Sequence, residues 1–150
     1  MRDRINADLK TATLARDKQR TGALRLISAA IKDRDIVARG AGTNAASDTE
    51  LLDLLAKMVK QRAESAKIYI DAGRPELAEQ EQAEIAIIEE YLPRQLSEDD
   101  VKAAIATVMA EVGASGIKDM GKVMTEMKAR YAGQMDFGKA SAAIKAALTS

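Results

Sequence analysis

The chain has no cysteine, which excludes disulfides, thiolate nucleophiles and cysteine-based metal sites. It has no histidine, so the commonest metal ligand and general base is also missing. Tryptophan is absent, and one Phe with three Tyr provides no platform on which nucleic-acid bases could stack. Only two prolines, Pro75 and Pro93, interrupt 150 residues. No apolar run approaches the roughly 20 residues that a membrane-spanning helix needs. Met1-Arg2-Asp3-Arg4 leads into a polar helix rather than a signal-peptide core. The expectation is a cytoplasmic protein with no membrane contact, no metal and no cofactor.

What is present favours helix. Hydrophobic residues make up 47% of the chain, and most are Ala, Leu, Ile and Met, which lose little rotamer freedom on a helical cylinder. Formal charge sums to zero but is unevenly placed. From Met1 to Gly40 basic residues outnumber acidic ones ten to five. From Glu76 to Val112 acidic residues lead ten to two, and from Gly113 onward basic ones lead six to three. Neutrality argues against nonspecific coating of nucleic acid, but it leaves room for one basic face.

Periodicity predicts seven helices. Ile5, Leu9 and Ala12 mark the first, and Leu24, Ile27 and Ile31 the second. After a loop at Gly40-Ala41-Gly42-Thr43-Asn44, Ser47 or Asp48 is placed to cap the third. Leu52, Leu55, Val59, Arg62, Ala66 and Tyr69 share one face of it. Gly73 can take the left-handed conformation that closes a helix, and Pro75 suits the first position of the next. Two long helices joined by so short a turn must lie antiparallel. The fourth helix aligns Leu77, Glu81, Glu84, Ile88 and Tyr91 and ends near Pro93. Ser97-Glu98-Asp99-Asp100 resembles a capping box, flanked by Leu96 and Val101 at staple spacing. Val101, Ile105, Val108 and Val112 form the stripe of the fifth helix. Ile117, Met120, Met124, Met127 and Tyr131 form that of the sixth, and Ala140, Ile144 and Leu148, capped by Asp136, that of the seventh. The fold class is therefore all-α. A helical hairpin region over residues 1–92 precedes a small three-helix bundle over 97–150.

Several residues invite a functional reading. Arg62 is a charge within an apolar stripe, expensive unless paired. It lies eleven positions before Gly73 and Glu84 lies eleven after, so the hairpin sets them side by side, and a structural ion pair that fixes helix register is preferred to an active-site pair. The glutamates around Glu79 to Glu90 are spread about their helix and form a solvated face rather than a metal site. Gly121-Lys122 lacks the rest of a phosphate loop, and Gly121 is expected to let a neighbouring helix approach closely. Asp136-Phe137-Gly138 is a helix cap rather than a kinase triplet. Lys118, Lys122, Lys128, Arg130, Lys139 and Lys145 avoid the apolar stripes and are the candidate phosphate contacts.

The order of these pieces resembles the YqeY family of the GatB/YqeY group. The resemblance is carried by Lys60-Gln61-Arg62, Ala72-Gly73-Arg74 with Leu77-Ala78, and Glu81 and Glu84. It continues through Tyr91-Leu92-Pro93, Gln95-Leu96-Ser97, Lys118-Asp119-Met120-Gly121-Lys122-Val123-Met124, and Gly133 with Asp136. One departure is Phe137-Gly138, where the family pattern has Asp-Gly directly. The resemblance implies a helical N-terminal part and a tail domain like the C-terminal region of GatB, a subunit of tRNA-dependent amidotransferase. In GatB that tail helps hold tRNA while the chemistry belongs to other domains. The label carbon–nitrogen ligase with glutamine as amide donor follows by association.

Three readings result. The first is an accessory tRNA-binding module that touches phosphates and overall shape. Four to six phosphate contacts would give a log–log salt slope of about −3 to −5. The second is a protein adaptor that docks an amidotransferase, an aminoacyl-tRNA synthetase or a second copy of the chain. The third, glutamine-dependent amide transfer by the chain alone, needs a glutaminase nucleophile and an ATP site. The sequence offers no thiol, Ser–Lys constellation or glycine-rich loop for these. The isolated chain is expected to be a binder, not an enzyme.

Overall fold

The structure, a computed structural model, describes residues 1–149. Among these, every regular element is helical: α1 (Arg2–Leu14), α2 (Lys18–Gly40), α3 (Asp48–Asp71), α4 (Pro75–Glu89), α5 (Glu98–Val112), α6 (Met120–Tyr131) and α7 (Phe137–Thr149). A single 3-10 turn, Ile117–Asp119, precedes α6. The chain divides into two compact units, Met1–Leu92 and the residues from Pro93 onward.

The first unit contains α1 to α4. Asp17 opens α2 by accepting a hydrogen bond from the Arg20 backbone N–H, and Ser47 opens α3 by accepting one from Glu50. Each cap satisfies an N–H that the helix cannot pair internally. Gly73, at φ +73°, closes α3 and Pro75 starts α4 two residues later, so the two helices fold back as a hairpin. α2 packs on α1, α3 and α4. Its Leu24 and Ile27 are fully buried beside Ile5, Leu51, Leu55 and Ile88. Burying each such side chain contributes about 1.5–3 kcal/mol.

The buried stripe of α3 runs through Leu51, Leu55, Met58 and Ala66, one position earlier than the expected line through Leu52 and Val59, which are only partly buried. α4 ends at Glu89, and Tyr91 follows it in a turn while remaining buried. The helical geometry stops before Pro93, but burial does not.

The second unit contains α5, the 3-10 turn, α6 and α7 around Ile105, Val108, Val123, Met127, Ala140 and Ile144. Ser97 accepts from the Asp100 N–H and opens α5, while Gly113, at φ +67°, closes it. Gln95 and Leu96 are tied to the α6–α7 turn. The Gln95 side-chain amide donates to the Gly133 carbonyl at 2.5 Å, and the Leu96 N–H donates to that of Gln134 at 2.9 Å. Asp136 Oδ1 accepts from the Gly138 N–H at 2.8 Å and caps α7.

Two expectations for this unit are corrected. Ile117 does not join the stripe of α6: it sits in the 3-10 turn and is exposed, while Val123 takes the central buried place. Gly121 permits no close approach of a neighbouring helix, because a Cβ built there would meet nothing within 4 Å.

Candidate nucleic-acid interface

Of the six cations singled out in the tail, all are exposed, but they do not form one patch. Lys118 lies in the 3-10 turn and Lys122 in the first turn of α6, four positions on. Between them Asp119 accepts a hydrogen bond from the Ser115 backbone N–H at 2.9 Å. That bond, more than the nearby Lys122 and Lys118, holds the Asp119 carboxyl below the ordinary carboxylate value, with the Gly116 N–H adding to it. The carboxylate is thus engaged by backbone donors. Among the described residues neither lysine makes an ion pair within 4.0 Å.

Arg130 differs. Its guanidinium meets Glu111 at 2.5 Å and Glu126 at 3.1 Å, tying α6 to α5, and these two partners raise its pKa. The guanidinium so engaged clamps α6 to α5, while its side chain stays 38% exposed. Lys128 lies six positions beyond Lys122 on α6, hence about 120° around the helix from it. Lys139 and Lys145, six apart on α7, diverge by the same angle. One flat phosphate backbone cannot touch all of them at once.

In the first unit, Arg62 Nε donates to Glu84 Oε2 at 3.0 Å, both side chains being largely buried. Arg62 also reaches the Met58 carbonyl at 3.4 Å. The pair joins α3 to α4.

A second polar cluster has no counterpart in the sequence reading. Tyr91 Oη donates to Asp8 at 2.5 Å, Arg4 stacks 4.7 Å above the Tyr91 ring, and Arg20 clasps Glu90 at 2.6 and 3.2 Å. Burial first, then the bond to Asp8, pushes the Tyr91 phenol up to about 12. Separately, Arg2 grips Asp35 at 2.6 and 2.9 Å and donates to the Ala46 carbonyl, while the Ala46 N–H donates to Asp35. These partners come from helices and loops far apart in sequence, and no local pattern points to them.

A groove of about 230 Å³ between α1 and α2 is lined by Arg2, Asn6, Ser28, Lys32 and Asp35 with Ile5 and Ile31. Ser28 and Lys32 are spaced to meet, yet the Ser28 hydroxyl has no hydrogen-bond partner among the described residues. An unheld hydroxyl is not an activated nucleophile. No cluster of three or more acidic side chains placed to hold a metal occurs among the described residues, and none of their helices is long and apolar enough to cross a membrane.

Comparison with known proteins gives one family and a consistent set of relatives. The family described as Yqey-like protein matches residues 2–148. The relatives carry the name "Altered inheritance of mitochondria protein 41, mitochondrial". That of Lachancea thermotolerans is 31% identical over 110 residues, covering 72% of this chain and 57% of its own length. That of Clavispora lusitaniae is 31% identical over 113 residues, covering 74% and 64%. That of Saccharomyces cerevisiae strain S288c is 32% identical over 88 residues, covering 59% and 46%. The chain thus spans between about half and two thirds of the length of these relatives. Their names place them in mitochondria and lend no support to a cytoplasmic location.

Proposed function

The chain belongs to the Yqey-like family, and from that premise we propose that it is an accessory tRNA-binding module that serves a tRNA-dependent amidotransferase system and contributes no catalytic group of its own. The observation that carries this reading is the pair Lys118 and Lys122. Both are exposed at the opening of α6, and the carboxylate between them is engaged by backbone donors. The first N–H groups of a helix add positive potential at the same end. Two ammonium groups so placed suit adjacent phosphates of an RNA backbone.

The geometry reduces the number of contacts expected from the sequence. Arg130 is engaged, and the remaining lysines point in different directions. Two or three phosphates are touched together, for a salt slope of about −2 to −3 rather than −3 to −5. The compartment proposed is an aqueous one that holds tRNA, either the cytoplasm or a compartment of the mitochondrion, the organelle in the relatives' name.

The test is a titration of total tRNA at several salt concentrations, with wild type beside the triple variant Lys118→Glu, Lys122→Glu, Lys139→Glu. Loss of affinity and a flatter slope in the variant support the reading. Identical behaviour of the two proteins removes it, and the adaptor reading then stands. That second reading rests on the outer side of α4, where Glu76, Glu79 and Glu89 are exposed and suit a basic surface of an amidotransferase or an aminoacyl-tRNA synthetase. Pull-down of such an enzyme from nuclease-treated extract, lost when these three are changed to Lys, tests it.

A further inference from the structure

The arginines and lysines of α2 fall into two groups. Arg20 and Arg34 turn toward the bundle and are neutralised there, Arg20 by Glu90 at 2.6 and 3.2 Å and Arg34 by Glu50. Lys18, Arg25, Lys32 and Arg39 recur at every seventh position, and all are exposed. Among the described residues none of these four makes an ion pair within 4.0 Å. Arg39 donates Nε to the Asn44 carbonyl at 3.1 Å, and its two terminal amino groups make no hydrogen bond to the described residues. The acids of α2 and its cap do not offset the row. Asp17 caps the helix, and Asp35 is held by Arg2 and the Ala46 N–H. Asp33 follows Lys32 by one position, hence about 100° round the helix from it.

We propose that this row is a docking surface for the phosphodiester backbone of RNA, carried by the first unit and additional to the lysine pair of α6. Seven residues rise about 10 Å and drift only about 20°, so the four cations stand nearly in line over about 32 Å of one helix. Neighbours so spaced are about one Debye length apart at physiological salt. They therefore repel one another little, while a polyanion laid along the helix meets all four. The planar forks of Arg25 and Arg39, which suit two oxygens of one phosphate, alternate with the point charges of Lys18 and Lys32.

A membrane is a poorer occupant. Leu26 and Val37, large apolar residues exposed on α2, lie about 120° and 140° round the helix from Lys32, so no flat surface takes both them and the row. An acidic polypeptide would have to bring carboxylates at the same spacing of about 10 Å. A nucleic-acid strand carries a charge on every nucleotide and meets the row in any register. No aromatic side chain stands on α2, so the contact is with phosphates and not with bases. In taking RNA as the source of those phosphates the inference rests on the function proposed above; the cation row itself does not.

The experiment is a titration of labelled bulk tRNA at several salt concentrations, on the full chain carrying Lys118→Glu and Lys122→Glu to silence the α6 pair. The expected result is residual binding with a log–log slope of about −3 to −4, from four phosphates. Adding Arg25→Gln and Lys32→Gln lowers the magnitude of that slope by about 2. Adding Lys57→Gln and Lys67→Gln instead, which removes two exposed cations from α3 of the same unit, leaves it unchanged. Every substitution is at an exposed position, and circular dichroism verifies that the helices persist. Absence of binding once Lys118 and Lys122 are reversed overturns the proposal and leaves the α6 reading standing. Equal slopes for the α2 and α3 substitutions overturn it as well, since net charge alone then drives the contact. Poly-L-glutamate that displaces labelled tRNA from the wild type as well as unlabelled tRNA does, charge for charge, assigns the row to an acidic polypeptide and overturns it too. If reversal of Lys118 and Lys122 changes nothing while the α2 substitutions abolish binding, the α6 reading falls and this one stands.

Discussion

Arg62 and Glu84, each eleven residues from Gly73, meet across the α3–α4 hairpin with Nε 3.0 Å from Oε2. Their side chains keep 16% and 18% of their exposure, so the pair is shielded from solvent but not sealed. Such a pair adds little net stability over apolar residues of similar volume, whereas removing one partner leaves a costly unpaired charge.

Arg62→Met is therefore expected to destabilise the chain by about 1–3 kcal/mol. The double variant Arg62→Met, Glu84→Leu should recover at least half of that loss. Urea unfolding of the wild type and the three variants gives the coupling energy directly. If the double variant falls by the sum of the single losses, the pair does not act as a unit.

Burial of the Tyr91 phenol, reinforced by its bond to Asp8, gives an alkaline signature. The folded-state pKa of Tyr91, about 12, lies above the ordinary 10.0. The unfolded chain therefore loses this proton first as pH rises. The contribution is complete below pH 10 and disappears as pH approaches 12. Its size is about 1–3 kcal/mol. Tyr91→Phe should remove this part of the pH slope while lowering stability near neutrality by about 1 kcal/mol. Unfolding free energies across that range, for both proteins, measure it. An alkaline slope unchanged by Tyr91→Phe would count against the assignment.

Arg130 and Lys122 should separate structure from binding. Lys122→Ala is expected to lower the magnitude of the tRNA salt slope by about 1 and leave the unfolding midpoint unchanged. Arg130→Ala is expected to lower the midpoint, because Glu111 and Glu126 lose their shared partner, while leaving the salt slope unchanged. Thermal melts and the titration series on the same two proteins decide between these outcomes.

Two glycines should respond in opposite directions. Gly121 lies in the first turn of α6 with open space where its Cβ would go, so Gly121→Ala should stabilise by about 0.5 kcal/mol through helix propensity. Gly113 sits at φ +67°, where an L side chain is strained, and Gly113→Ala should cost about 1–2 kcal/mol. Denaturant midpoints of the two variants should move apart.

The sequence by itself determined the local elements, because their causes lie within a few residues. A side-chain oxygen at Ser47 or Ser97 satisfies an N–H three positions on, Gly73 ends one helix, and Pro75 starts the next. Equal distances from that turn were enough to pair Arg62 with Glu84. Apolar periodicity placed Ile27, Ile105, Val108, Met127 and Ile144 inside. The tertiary structure alone decided what depends on which faces meet. Tyr91 finds Asp8 across 83 residues, and Arg20 finds Glu90 across 70. Arg2 closes on Asp35 and Ala46. Arg130 is paired with Glu111 on α5, a glutamate that no spacing rule connects to it. Periodicity shows that a side chain points outward but not in which direction or toward what. The lysines were therefore legible as exposed, and the 3-10 turn running into α6 sets Lys118 and Lys122 on either side of Asp119. The physical reason is range: caps and turns are set by hydrogen bonds a few residues long, whereas ion pairs between helices exist only once the buried faces have fixed each helix's rotation against its neighbours.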